Sequence, residues 1–185
     1  GINSYMAAAA HRFAATGLEV IVPSMFDRQE KGFIREGHGP DDIAAGGGYA
    51  RANGLENALT DIAACIAALE GPVFVSGYCY GGSMAYFAAC NLDGRSAASC
   101  YYGSLVPGAR GMEPRCPTIV HFGRHDGFIP IEGVEAFAAA RHDVPTYIYD
   151  AGHGFARAAS ADYSAAADDL AWQRMMDLFD QALIR

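Results

Sequence analysis

The sequence predicts an α/β protein in which one mostly parallel sheet carries helices on both faces. Short apolar runs rich in β-branched residues alternate with longer segments of helical period, and no repeat or linker interrupts the alternation. The apolar runs suit strands buried on both sides, as parallel strands under helices must be. At 185 residues the chain is expected to form a single domain over 1–185, with enough apolar material, 51% against 18% charged, to bury a core.

Asn3 or Ser4 can cap a first helix running through Met6, Ala9, Ala10 and Phe13, which Gly17 stops. Leu18, Val20, Ile21 and Val22 then read as a strand ended by Pro23. From Met25 to Ala52 the chain is rich in glycine and charge and shows no period, so a long functional loop is expected. Asn53 with Glu56 resembles a capping box, followed by Leu55, Leu59, Ile62, Ile66 and Leu69 at helical spacing. Gly71-Pro72 ends that helix. Val73 to Val75 form the next strand and lead through a glycine-rich turn into a helix containing Met84, Phe87 and Ala88. Ala97–Tyr102 and Thr118–Phe122 read as strands, Ile131–Ala140 as a helix and Thr146–Tyr149 as a strand. A final helix is expected to place Trp172, Met176, Phe179 and Leu183 on one stripe.

The net charge of −8, with basic residues scattered singly, argues against nucleic acid and anionic membrane as partners. No apolar run approaches the roughly 18 residues of a membrane span. The five cysteines are an odd number and contain no Cys-x-x-Cys pair. Cys65, Cys90 and Cys100 fall within helices or an apolar strand and read as small buried hydrophobes. Reduced thiols of this kind point to the cytoplasm. The chain opens on Gly1 and almost at once on a helix, so N-terminal incompleteness is expected.

The strongest chemical signal is Gly77-Tyr78-Cys79-Tyr80-Gly81-Gly82 between a strand and a helix. A nucleophile on so sharp a turn needs flanking positions without Cβ atoms, here Gly77 and Gly81, and its side chain is forced outward. This strand, turn and helix form the nucleophile elbow of the α/β-hydrolase fold, with Cys79 as the expected nucleophile. The positive end of the following helix favours its thiolate, and the Tyr80 N–H is placed to donate into an oxyanion hole. In this fold an acid and then a histidine follow the nucleophile in sequence. Asp126 ends one predicted strand and His153 another, both at the carboxyl edge where ligands gather. His125 is the rival base; His11, His38, His121 and His142 lack this placement.

The chain resembles the dienelactone hydrolase family. The resemblance rests on Pro23-Ser24-Met25-Phe26-Asp27-Arg28-Gln29, the cysteine elbow, Tyr101-Tyr102-Gly103, Asp126-Gly127-Phe128-Ile129-Pro130 and Ala151-Gly152-His153-Gly154-Phe155-Ala156-Arg157, in family order. It implies hydrolysis of cyclic enol esters, notably carboxymethylenebutenolide to maleylacetate, by a Cys79–Asp126–His153 triad without a cofactor or metal. It also implies that Arg157 holds a substrate carboxylate; the region Ile43 to Ala52 offers no match for the family's second arginine. Arg28 is expected to bind substrate or to pin its loop. The family's earlier strands, and a loop carrying a glutamate and a second oxyanion N–H, have no counterpart in this chain.

The expected activity is cysteine-dependent hydrolysis of an enol lactone or related ester through a thioester. The partner would be a small molecule, and the protein a monomer or weak homo-oligomer. Two other readings are a thiol redox sensor, in which Cys79 forms a sulfenic acid, and a binding domain that keeps a pocket without catalysis. The sensor requires no aspartate and histidine on later loops.

Overall fold

The computed structural model describes residues 1–184. The chain divides into two compact units, Gly1–Glu70 and Gly71–Arg185. In the first, helix α1 spans Ser4–Ala14, and the Asn3 side chain caps it by accepting from the Met6 N–H. Gly17 follows with φ +91°, the left-handed backbone that favours glycine after a helix.

Two expectations for this unit fail. Residues 18–22 form no strand. β-Branched side chains favour strand geometry, but a strand exists only where a neighbour completes the hydrogen-bond ladder. Ile21, 38% exposed, is not the buried residue that a central strand requires. The long loop is also shorter than expected, because helix α2 spans Pro40–Ala68 and begins far ahead of Asn53. Pro40 stands at the first helical position, Asp41 and Asp42 occupy the first turn, and the Gly39 N–H donates to Asp42 at 3.3 Å. Together these outweigh the three glycines at 46–48. Tyr49 in this segment packs edge-on against Phe33, with centroids 4.7 Å apart. The expected helix start survives as a kink, with Gly54 at φ 68° and ψ 172°. Asn53 is buried there and accepts from the Gln29 amide at 3.4 Å instead of capping with its side chain.

The second unit is a four-stranded parallel sheet in the order β1 (Phe74–Tyr78), β2 (Ala97–Tyr101), β3 (Thr118–Gly123) and β4 (Thr146–Tyr149). Helices α3 (Tyr80–Asn91), α4 (Ile131–Ala140) and α5 (Ala165–Leu183) connect or follow the strands. Every residue of β2 and β3 is buried, so both faces of the sheet's middle are covered. On one face the α5 residues Met175 and Phe179 meet Ser76, Tyr101 and Phe74, and the Phe179 and Phe74 rings stack at 4.3 Å. Alternation sends the neighbouring positions the other way, toward α3, whose Tyr86 packs on Phe137 of α4 at 5.5 Å. The buried residues of α5 are Ala167, Asp168, Ala171, Met175 and Phe179; of the expected stripe Phe179 is buried, while Trp172 and Met176 are half-buried and Leu183 is exposed. Small alanines let the helix lie close to the sheet, while Leu183 is left 53% exposed.

Close approach of α3 to the sheet depends on glycine, at Gly77 and Gly82 within the elbow and at Gly103, whose Cβ would lie 2.6 Å from the Ser83 nitrogen. A Cβ on Gly77 would lie 2.1 Å from the Gly81 carbonyl oxygen, and one on Gly82 would lie 2.2 Å from that of Tyr101. Gly81, expected to be the second indispensable glycine, faces open space. Gly77→Ala should therefore cost about 1–3 kcal/mol as backbone is forced apart. Gly81→Ala should stay within about 1 kcal/mol of wild type, since alanine suits a helix better than glycine. Urea unfolding of the two variants checks the contrast, and equal losses would contradict the packing described here.

Candidate active site

Strand β1 ends at Tyr78 and α3 starts at Tyr80, so the whole turn is made by Cys79. Its backbone sits at φ 54° and ψ −115°, a region that residues with a side chain seldom adopt. Hydrogen bonds hold it there: the Cys79 N–H donates to the Tyr101 carbonyl at 3.0 Å, and its own carbonyl accepts from Ser83 at 3.1 Å. The side chain consequently projects outward, and Cys79 is the exposed cysteine of the five, none of which is disulfide-bonded. Cys90 and Cys100 are buried, and burial pushes the Cys90 thiol up to about 11 and that of Cys100 well above its usual range.

Asp126 follows β3 and His153 follows β4, and the two meet. His153 Nδ1 lies 2.7 Å from Asp126 Oδ2, and His153 Nε2 lies 3.3 Å from Cys79 Sγ. The Asp126 carboxylate is fully buried, with Oδ1 accepting from the Phe128 N–H at 2.8 Å and the Ile129 N–H at 3.1 Å. Burial of the imidazole alone would lower its pKa. The hydrogen bonds to Asp126 and to Cys79, with the charges of both, outweigh that effect and raise it from 6.5 to about 9. Sulfur, imidazole and carboxylate thus form one hydrogen-bonded line, along which a proton can pass from thiol to ring and the resulting cation is held by the acid. Among the described residues no group of three metal-binding side chains is found, and no helix is long and apolar enough to cross a membrane.

Residues 1–183 match the model of the dienelactone hydrolase family. The chain belongs to that family. A Synechocystis sp. protein provisionally named a carboxymethylenebutenolidase is 30% identical over 99% of this chain and 82% of its own length. A Pseudomonas sp. carboxymethylenebutenolidase is 28% identical over 96% of this chain and 79% of its own. The crystal structure of a Klebsiella pneumoniae protein provisionally assigned as a dienelactone hydrolase superimposes with a TM-score of 0.81, covering 98% of this chain and 82% of that one. At 22% identity that likeness speaks for the fold alone, which is that of the α/β-hydrolases.

Within this dienelactone hydrolase family member the other expected residues divide. Tyr80 opens α3, where a backbone N–H points out of the helix start. Arg157 lies on the His153 loop, its N–H donating to Gly154 at 2.9 Å, and no carboxylate among the described residues pairs with its guanidinium. Arg28 belongs to the first unit and is spent there: its Nη2 and Nε meet the Asp61 carboxylate at 2.5 and 3.1 Å. That is the loop-pinning alternative for Arg28. His125, the rival base, bonds Asp150 at 2.6 Å at an exposed position. Sequence reading missed Tyr102 and Phe128, whose rings lie 5.1 and 5.0 Å from His153. Both stand in the motifs Tyr101-Tyr102-Gly103 and Asp126-Gly127-Phe128, which mark the positions but not their target.

The raised His153 value links folding to pH. Because the folded-state pKa exceeds the unfolded one, the imidazole's contribution to stability is fully present below about 6.5 and is lost as the pH rises through about 9. Urea unfolding of wild type and His153→Gln over this range should show the gap between them closing toward the alkaline end. A gap that stays constant across the window would break the link.

Proposed function

We propose that the protein is a cysteine-dependent hydrolase of enol lactones or related activated esters, with Cys79 as nucleophile, His153 as acid and base, and Asp126 as its orienting partner. The observation that carries this reading is the unbroken Cys79–His153–Asp126 line on a strained elbow. In the first half-reaction the Cys79 thiolate adds to the lactone carbonyl, and the oxyanion rests against backbone N–H groups that include Tyr80. The carbonyl carbon to ring oxygen bond then breaks, the enolate leaves, and protonated His153 supplies its proton. In the second, water attacks the thioester carbon, Nε2 takes the water's proton, and the carbon–sulfur bond breaks, returning the thiolate to Cys79 and freeing the acid product.

Chemistry independent of family membership favours enol esters. A thiol ionises near about 8.5, so a thiolate leaves far more readily than an alkoxide, and attack on a simple alkyl ester mostly reverses. An enolate is delocalised and leaves well enough to compete. The carboxymethylenebutenolidase names of the relatives describe such a substrate. Arg157, on the His153 loop and paired with no carboxylate among the described residues, suits a bidentate hold on a substrate carboxylate.

With an enol lactone, denaturing mass spectrometry during turnover should find the whole substrate mass on the Cys79 peptide, because ring opening leaves the departing group tethered. Cys79→Ser should lose most activity, since a hydroxyl is almost wholly protonated near neutrality. Wild-type activity in that variant would refute the nucleophile.

Arg157→Ala tests the substrate class separately. KM for a carboxylated enol lactone should rise by roughly 1.5–3 kcal/mol in binding, about ten- to a hundredfold, while a neutral ester is hydrolysed as before. Equal losses on both substrates would defeat the carboxylate hold and leave a cysteine hydrolase of other preference.

A further inference from the structure

We propose that Tyr102 and Phe128 form an aromatic bracket that holds the His153 ring in the one orientation where Nδ1 meets Asp126 and Nε2 meets Cys79. The inference rests on the catalytic reading above and makes both aromatics positioning residues for it.

The two rings approach His153 from different loops. The centroid of Tyr102, just after β2, lies 5.1 Å from that of the imidazole at an interplanar angle of 58°; that of Phe128, after β3, lies 5.0 Å away at 68°. These tilted and edge contacts are the arrangements that aromatic rings prefer. Each is held at some cost. Tyr102 has φ 36°, one of two residues other than glycine with positive φ among the described residues, the second being Cys79 itself. It is kept there by its N–H, which donates to the His121 carbonyl at 2.7 Å, and by an edge contact with Phe155 at 5.3 Å. Phe128 leaves 63% of its surface exposed. A single exposed phenylalanine is ordinary, but this one is tied to the triad through its backbone, because its N–H donates to the carboxylate that holds His153. One acid therefore fixes both the imidazole and the ring beside it.

A bracket is needed because two hydrogen bonds along one ring axis leave the imidazole free to swing about that axis and about the side-chain bonds. Swinging lengthens the bond to the sulfur, which is already 3.3 Å. Packing against the two ring surfaces opposes that motion without taking either nitrogen. The polar and charged groups that act on the imidazole are Asp126 after β3 and Cys79 just before α3, each through a hydrogen bond and its charge.

Two roles for Phe128 predict opposite signs. If the ring only shields His153 from water, removing it relieves desolvation and raises the imidazole pKa. If it positions His153, removing it loosens the bonds to Asp126 and Cys79, which are what raise that pKa, and the value falls. The experiment is an NMR titration of the His153 ring, assigned by its disappearance in His153→Gln, in wild type, Phe128→Ala, Phe128→Leu and Phe128→Tyr. Exposure of Phe128 keeps these variants folded, which circular dichroism verifies. We expect the midpoint to fall from about 9 toward 6.5 by about one unit in Phe128→Ala and Phe128→Leu, and to be retained in Phe128→Tyr. An unmoved or raised midpoint in Phe128→Ala, or a loss in Phe128→Tyr equal to that in Phe128→Leu, overturns the bracket. The titration needs no turnover, so its outcome is separable from that of the hydrolase reading: an unmoved midpoint in an active enzyme removes only the bracket, and a downward shift in a protein that hydrolyses nothing removes only the activity.

Discussion

The site depends on one backbone constraint, the single-residue turn at Cys79 between β1 and α3. A side chain at φ 54° and ψ −115° costs on the order of 1–3 kcal/mol, and it persists because neighbours fix it from both sides. Tyr101 of β2 accepts its N–H, while Gly77 and Gly82 let α3 press onto β1 and β2 at distances no side chain would allow. The sheet thus supplies the force that holds the sulfur outward. The same carbonyl of Tyr101 limits Gly82 and receives the Cys79 N–H, so helix, strand and Cys79 share one contact point.

The opposite wall is built by joining two strand ends. Arg124 and His125 donate their N–H groups to the carbonyls of Tyr149 and Ala151 at 2.8 and 3.0 Å, continuing the β3–β4 pairing into the loops. Gly123 permits this, since a Cβ there would lie 2.4 Å from the Ala151 oxygen. Asp126 and His153 leave from this joined base and reach each other without long flexible connections. Below them Tyr101, Tyr102, Tyr149 and Phe155 form a packed aromatic floor, with Tyr149 and Phe155 4.9 Å apart. Rigid support of this kind is what a catalytic constellation requires, because small displacements of the reacting groups are costly.

The parts legible in the sequence were those whose signal is local. β3, β4, α4 and the elbow follow from apolar runs, turn residues and glycine spacing, and Asp126 and His153 from their places at strand ends. The failures concern partners. Residues 18–22 carry strand-forming side chains, but the ladder that would make them a strand is not a property of the segment. The start of α2 was written in Gly39-Pro40-Asp41-Asp42 and was masked by the glycines that follow. Within α5 the larger residues drew the predicted stripe off by about one position: Phe179 is buried as expected, but Ala167, Ala171 and Met175 face the core in place of Trp172 and Met176. The elbow glycines show the same limit: the pattern names Gly77, Gly81 and Gly82 alike, and only the packing shows which two cannot change.

Two histidines separate residue type from function. His121 lies on β3, fully buried, sharing hydrogen bonds with Ser99 at 3.1 Å and Tyr149 at 2.8 Å and stacking on Tyr101 at 4.5 Å. Burial, helped by the Arg174 charge, drives its pKa down to about 3, so it stays neutral and serves the core. Arg174 donates to the same Tyr149 hydroxyl at 3.1 Å, so a cation closes this network where a carboxylate closes the other. His153, after the adjacent strand, also feels burial as its largest influence, yet moves the other way to about 9. The decisive difference is Asp126, together with the sulfur that only the elbow can bring within reach. Of the two rings, the core histidine is therefore held neutral, while His153 is favoured in its protonated form.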